Sequence, residues 1–471
     1  MKSCCISASK LLTALMLAFS FIGIAQTTSL SPYSRFGIGT ILSQGSAVQH
    51  SLGGNTAGYV NHFAPNLENP ASYAFMYNTA FDVGLRGTSL TLNNGSESST
   101  LNVSSLSHFA LVFKRQGGNM AFGLGLVPYS TTGYSITDQQ TFDDIGDVSF
   151  TYDGEGGFNR ANAGLAYRFD FKRAKGILDK SAPADSASFR HNISLGANLN
   201  YFFGSLHQIR RVLYADAAFY HSRIRSSTSI SDVNLNIGGQ ALLRLKNKYQ
   251  GKSRVAKTDL MLGAAYTLGS NMNSEFEEIS ETVRYSAGAE IVVDTAGYVS
   301  GVEGTLTFPS SINAGLGIVH VNKNDREFVW TGNFFSQDWS SFSGQFGLDD
   351  DSQSLGKAQS ISVGFQYTPK PLGKSNKAFQ RATYYFGGRT TDTYLTLADQ
   401  QISEMAISTG FSLPMLKSKT FPPSKLNFGT EFGTRGTTTD NLIEETFVNV
   451  FVGFTLTPHI INNWFVQRKY D

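Results

Sequence analysis

Cysteine is almost absent from this 471-residue chain. The only two cysteines are Cys4 and Cys5, and both precede the apolar part of an N-terminal export signal. If that signal is cleaved, the exported chain holds no cysteine. Disulfide bonds, thiol catalysis and Cys-ligated metal sites are then excluded.

The export signal has the three parts that a signal peptidase substrate needs. Lys2 and Lys10 supply the positive segment, and Leu11–Ile24 supplies an apolar core that is short for a membrane span. Gly23 and Ala25 are the small residues before the cleavage point. The sequence therefore predicts a signal peptide over residues 1–25.

Long apolar runs are missing from the rest of the chain. No run of about 18 apolar residues follows the signal, so no transmembrane helix is predicted. Charged residues make up 16% of the chain and the formal net charge is +2, which gives no basis for nucleic-acid binding. An exported chain without spanning helices but with alternating strands is either a closed barrel in the outer membrane or a secreted β-protein.

Alternation of apolar and polar residues is what the sequence does contain. In His191–Gly204, Ile193, Leu195 and Leu199 share one face, while Asn198 and Asn200 lie on the other. Similar segments run to the length of about 9–11 residues that a tilted membrane strand needs. Aromatic residues at strand ends are typical of the girdles at a membrane surface; they are Tyr129, Tyr134, Tyr201, Phe202, Tyr384 and Tyr385.

The links between these strands alternate in charge. One set is basic and includes Lys114–Asn119 and Pro369–Arg381, while the links between them are acidic and often longer. Such two-sided alternation is expected of a chain that crosses a membrane repeatedly, and it gives about 14 strands. The arginine-rich link Ser205–Ile230 breaks the pattern. Val302–Phe308 could be a further strand or part of an extracellular hairpin, and the even strand number favours the hairpin.

The sequence thus predicts an all-β fold, a transmembrane antiparallel β-barrel of about 14 strands. Residues 26–78, which glycine, proline and asparagine interrupt throughout, are predicted to fill the lumen as a plug. The barrel would comprise residues 79–457, followed by a C-terminal tail over residues 458–471.

The plug and strand pattern resembles the FadL-type outer-membrane channel family. The resemblance lies in "SLGGNTAGYVNHFAPNLENPASYA", which contains Asn69, Pro70 and Ala71 just before the first strand, and in Pro309–Gly317. In that family an Asn-Pro-Ala motif ends the plug, and hydrophobic ligands leave through a wall gap at a kink in the third strand. Two segments, "SPYSRFGIGT" and "FVQRKYD", resemble a branch of this family whose members need not be fatty-acid channels.

The third strand, about Asn119–Tyr134, holds residues that weaken a ladder. Pro128 cannot donate a hydrogen bond, and Gly123 and Gly125 weaken the strand further. These three residues are candidates for a lateral gap. Pro128 is equally compatible with the ordinary exit of the strand into its loop.

Charged residues on the predicted inner faces are candidates for salt bridges with the plug, because a charge facing lipid would cost roughly 2–4 kcal/mol. They are Arg168, Arg244, Glu431 and Arg435. The acidic clusters Asp143–Asp147 and Asp349–Asp351 are interpreted as solvated loops rather than Ca²⁺ sites. No nucleophile elbow, metal-type histidine spacing or nucleotide loop is found, so neither an enzyme nor a cofactor is predicted.

Two functions of different classes follow. The first is an outer-membrane channel for passive uptake of hydrophobic compounds such as long-chain fatty acids, as the family resemblance implies. Its partners would be outer-membrane lipids and a small hydrophobic ligand. The second is a barrel scaffold that does not transport, a subunit of a larger outer-membrane assembly or secretion complex. A secreted soluble β-protein is a third reading.

Overall fold

A computed structural model describes residues 31–54, 57–115, 117–173, 189–216, 218–250, 253–286, 289–342, 355–370, 377–415 and 424–457. Signal peptide and C-terminal tail lie outside these ranges, as does Asp349–Asp351. Fourteen antiparallel strands form a closed wall, because the last strand pairs with the first. The wall strands are β2 (Ala80–Asn93), β3 (Ser98–Lys114), β4 (Met120–Pro128), β6 (Gly146–Arg173), β7 (Phe189–Tyr214), β8 (His221–Gln250), β9 (Ser253–Thr267), β12 (Ser311–Val321), β13 (Glu327–Asp338), β14 (Lys357–Thr368), β15 (Thr383–Leu397), β16 (Gln400–Pro414), β17 (Lys425–Arg435) and β18 (Glu444–Leu456).

The distribution of polarity across this wall is the reverse of that in a soluble protein. Leu195 and Leu199 on β7 are 57% and 55% exposed, whereas Asn198 and Asn200 on the opposite face are at most 1% exposed. Apolar side chains also face outward on strands across the barrel, as with Ile407 on β16. An apolar exterior around a polar interior is the arrangement that a bilayer requires. The predicted transmembrane barrel of about 14 strands is confirmed.

Three further strands extend the wall at one end, called here the crown end. β5 (Ser130–Phe142) continues from β4 after a break, β10 (Ser270–Ser286) continues from β9, and β11 (Ala289–Phe308) leads into β12. β10 pairs with β11 and with residues 221–230 of β8. Val302–Phe308 therefore belongs to a hairpin above the wall, not to a fifteenth wall strand.

The described part of the N-terminal segment, residues 31–54 and 57–78, lies inside the barrel and is called the plug here. It contains a 3-10 helix (Pro32–Arg35), the two-residue strand β1 (Thr40–Ile41), the short helix α1 (Ala47–Ser51) and a second 3-10 helix (Pro70–Phe75). The second 3-10 helix packs on β4, β6, β7 and β8, while α1 packs on β15–β18. These strands lie on different sides of the wall, so the segment crosses the lumen.

The remaining helices are small. One is α2 (Ala378–Arg381), and 3-10 turns span Trp339–Ser341 and Thr439–Asn441. Among the described residues, no helix has the length and apolar character to cross a membrane.

Candidate ligand cavity and side opening

Glycines on the inner wall let the plug backbone approach the strands closely. A methyl group at Gly196 on β7 would lie 2.7 Å from the backbone of Pro70 and Ala71, well inside van der Waals contact. Other wall glycines lie equally close to plug atoms: Gly123, Gly125, Gly238, Gly263, Gly315, Gly364, Gly387, Gly410 and Gly429. These ten residues form a glycine belt, and they account for ten of the 47 glycines of the chain.

The Asn-Pro-Ala motif sits directly on this belt. Asn69 Oδ1 accepts from the Ala71 backbone N–H at 3.2 Å, which caps the 3-10 helix that Pro70 begins. The Asn69 amide donates to Ala57 O at 3.1 Å and to Gly239 O of the wall at 3.3 Å. The motif therefore joins two parts of the plug to β8.

Further hydrogen bonds join the plug to wall strands on different sides of the lumen. Tyr59 donates to Gln366 on β14 at 2.5 Å, and Asn198 on β7 donates to Leu67 O at 3.1 Å. Near the crown end, Ser31 donates to Glu445 on β18 at 2.5 Å. Hydrogen bonds on opposite sides of the lumen, added to close backbone packing, stabilise one plug position.

The four predicted lumen charges contribute to this arrangement in two ways. Arg168 donates to Ala74 O of the plug at 3.1 Å, and Arg435 donates to Ser31 Oγ at 3.2 Å. Arg244 pairs with Asp259, and Glu431 accepts from Arg389, so both of these ion pairs join wall strands. The contacts with the plug are thus hydrogen bonds, while the ionic partners lie on the wall.

A cavity of about 220 Å³ lies on the crown side of the glycine belt. Its aromatic lining comes from a buried cluster that includes Tyr129, Phe202, Phe308 and Tyr394. Tyr129 and Phe202 meet edge to face, with ring centroids 5.0 Å apart. The cavity therefore offers an apolar surface deep within a largely polar lumen.

Arg160, Arg389 and Arg435 line this cavity, and the last two are ion-paired with Glu431 and Glu445. Arg160 on β6 lines it and is 6% exposed, yet its Nε and Nη2 have no hydrogen-bond partner among the described residues. Glu68 of the plug and Asn313 of β12 line the same space. A buried guanidinium with free N–H groups is a donor set suited to a carboxylate or another anion.

The third wall strand breaks after Pro128, beside the cavity. Gly123 and Gly125 pair normally with β3 and β6, and they make room for Tyr73 and Leu67 of the plug. The ladder between β3 and β4 ends at Phe109 and Leu126. Residues 98–108 of β3 consequently have no strand partner on that side within the described chain.

Beyond the break, β5 turns toward the lumen and pairs with the plug strand β1. Leu42 donates its backbone N–H to Tyr129 O at 3.0 Å. Opposite the break, Gly156 and Gly157 on β6 have φ values of 112° and 147°, a backbone conformation that favours glycine. No strand pairing therefore joins β3 and β5 within the described chain.

A second pocket of about 90 Å³ lies beside this unpaired stretch, between the plug and the inner faces of β2, β3, β5 and β15–β18. Val103 and Ser105 line it from β3, Thr131 from β5, and Thr40 and Leu42 from the plug. Thr40 and Leu42 also line the larger cavity, as do the charged residues Arg389, Glu404 and Arg435. The two spaces therefore adjoin each other beside β1.

The aromatic girdle prediction is partly wrong. Tyr201 is 43% exposed and faces outward, but Tyr129, Tyr134, Phe202 and Tyr385 are at most 9% exposed and face the interior. Aromatic type alone does not distinguish a membrane surface from a lumen cluster. Arg160 was missed, although it shares the inner face with Asn162 and Arg168, so extending that alternation by one residue finds it.

The structure is thus a plugged antiparallel barrel whose third wall strand is interrupted, and solved structures of outer-membrane channels share this fold. The solved structure of the toluene transporter TodX from Pseudomonas putida aligns with 14% identity, covers 89% of this chain and 99% of its own, and gives a TM-score of 0.51. TbuX, a toluene transporter from Ralstonia pickettii, aligns with 14% identity, 88% and 98% coverage and a TM-score of 0.48. A FadL homologue from Pseudomonas aeruginosa aligns with 12% identity, covers 89% of this chain and 98% of its own, and gives a TM-score of 0.48.

The family is set by sequence. The profile of the BamG family matches residues 8–177 and 170–471, so this chain belongs to the BamG family. No curated protein matches the sequence. The likeness to TodX establishes a shared fold.

Proposed function

We propose that this protein is a passive outer-membrane channel for hydrophobic compounds. A compound would enter at the crown end, bind in the aromatic cavity and leave sideways between β3 and β5. The single observation that carries the proposal is the stretch of β3 that lacks a strand partner on one side within the described chain, beside which Thr40 and Leu42 line both the cavity and the second pocket. Burial of apolar surface would drive binding without a cofactor.

The side route fits the way the plug is held. The glycine belt and the bonds around it oppose plug movement, so passage along the barrel axis would require many contacts to break. Passage past β1 and out between the strands leaves the glycine-belt contacts of the plug in place. A lateral exit also delivers an apolar compound directly into lipid.

Arg160 refines the ligand class to apolar compounds with an anionic head group, such as fatty acids. Its free N–H groups point to an anion, while Tyr129 and Phe202 supply apolar contact for a chain. Neutral hydrocarbons would use the aromatic surface alone.

A substitution in the second pocket tests the proposal. Ser105→Trp places an indole in that pocket, and Ser104→Trp places the same side chain on the outer face of the same strand, where Ser104 is exposed. Uptake of labelled oleate is measured in proteoliposomes and in cells that lack the gene. We expect Ser105→Trp to abolish the uptake that Ser104→Trp retains. Equal uptake by both variants, or by empty vesicles, would contradict the proposal.

A second function, as a scaffold subunit without transport, is favoured by the same plug anchoring. A barrel whose lumen is permanently filled can still serve neighbours through its outer surfaces. Mild-detergent purification tests it, since a scaffold should carry stoichiometric partners. A barrel that always migrates alone would exclude this function.

A further inference from the structure

The crown is an open sheet that stands above the membrane wall. It consists of β5, residues 146–156 of β6, residues 206–214 of β7, residues 221–230 of β8, and β10 and β11, in that order. Unlike the wall, this sheet does not close. Its last strand, β11, pairs with β10 on one side and has no strand partner on the other within the described chain.

The free edge of β11 lacks the basic residues and prolines that often prevent strand addition, although three register shifts interrupt its ladder with β10. Its sequence, AEIVVDTAGYVSGVEGTLTF, holds no lysine, arginine or proline. Ile291, Val293 and Tyr298 are 43%, 46% and 59% exposed. Proteins usually protect such an edge with lysine, proline or a covering element, and an unprotected edge accepts an added strand.

The negative charge of the β10–β11 hairpin indicates the charge of the strand that would be added. Residues 270–308 contain seven acidic residues and one basic residue, Arg284. Arginines of β7 and β8 neutralise Glu278, Glu281 and Glu290. Glu275, Glu277, Asp294 and Glu303 have no ionic partner among the described residues.

Two of these carboxylates stand directly opposite each other. Glu275 on β10 faces Glu303 on β11 in the ladder, and both are exposed. Like charges in a cross-strand pair are destabilising, and a basic side chain on an added strand would relieve the repulsion. A second copy of the chain would bring another acidic edge instead, so self-pairing is disfavoured.

We propose that the β11 edge is a docking site for an extended, basic segment of another protein, which adds as a seventh strand to the crown. Backbone hydrogen bonds to residues 289–302 would give affinity, and lysine or arginine side chains would contact Asp294 and Glu303. This inference depends on the crown alone, so it holds whether or not the cavity transports a ligand.

A synthetic peptide of alternating lysine and valine is the probe. Binding to the purified full-length barrel is followed by fluorescence anisotropy, and protection of β11 amides by hydrogen exchange. The matched peptides are a glutamate–valine version and a lysine–valine version with alternate backbone nitrogens methylated. We expect the lysine peptide to bind and to protect residues 289–302, and both matched peptides to fail.

Charge reversal on the barrel completes the test. Asp294→Lys combined with Glu303→Lys should weaken the lysine peptide by about tenfold at low salt. Glu97→Lys makes the same change on an exposed turn elsewhere at the crown end and should have no effect. Equal binding of the methylated peptide, absence of β11 protection, or equal weakening by Glu97→Lys would overturn the proposal.

Discussion

Gly196→Ala should loosen the plug without opening the barrel. The added methyl would lie 2.7 Å from Ala71 N and from the Pro70 carbonyl carbon, and 2.9 Å from Pro70 O. Ordinary carbon contacts begin near 3.5 Å, so the plug must retreat by about 0.8 Å. Overpacking of this kind costs roughly 1–3 kcal/mol, and the strain falls on the plug because Gly196 is held in the ladder between β6 and β8.

Hydrogen exchange of the plug measures this loss. If residues 66–76 exchange through local opening, a loss of roughly 1–3 kcal/mol raises their rate by about 5–150-fold. Gly332→Ala on β13 is the matched control, because a methyl there has no neighbour within 4 Å. Unchanged exchange in Gly196→Ala, or equal acceleration in Gly332→Ala, would refute the role of the glycine belt.

Three other perturbations separate the cavity, the crown and the wall break. Arg160→Leu should weaken oleate binding by about 10–100-fold and leave toluene binding unchanged, because it removes charge-assisted hydrogen bonds to the carboxylate head group. Titration of the barrel with both ligands measures this, and an equal loss of affinity for both would contradict it. Arg223→Gln removes ion pairs of 2.7 Å to Glu281 and 2.6 Å to Glu290, so the backbone amides of residues 274–283 should exchange hydrogen about tenfold faster. The control Arg284→Gln should leave these rates unchanged, and equal rates in the two variants would contradict the role of Arg223. Gly157→Val should lower the free energy of unfolding in urea by roughly 1–3 kcal/mol, because φ there is 147° and a side chain would meet Ser130 O. An unchanged urea midpoint of unfolding would show that glycine is not required at this position.

The strand pattern of this chain was predictable because each wall residue faces one of two unlike environments. Leu195 and Asn198 differ in polarity because lipid lies on one side and the lumen on the other. The arginines of Ser205–Ile230, which interrupt the charge pattern of the links, were not predictable in role. They lie in strands, where Arg210 and Arg223 pair with carboxylates of β10.

The details of the site depend on contacts between residues distant in sequence. Gly123 and Gly125 weaken a strand when considered alone, but opposite them lie Tyr73 and Leu67 of the plug, about 50 residues earlier in the sequence. Phe202 shares the inner face of β7 with Asn198 and Asn200, but its contact with Tyr129 joins residues more than 70 positions apart. No local pattern records such partners.

A disulfide between plug and wall tests the central claim, a fixed plug with a side exit. In Ala47→Cys combined with Gly453→Cys, the second Cβ would lie 3.4 Å from Ala47 Cβ, close to the 3.5–4.5 Å that a disulfide needs. Oleate uptake into proteoliposomes is compared before and after reduction, with Ser105→Trp in the same background. The account predicts equal uptake in both redox states and none with the tryptophan. Uptake that appears only on reduction would show that the plug must move.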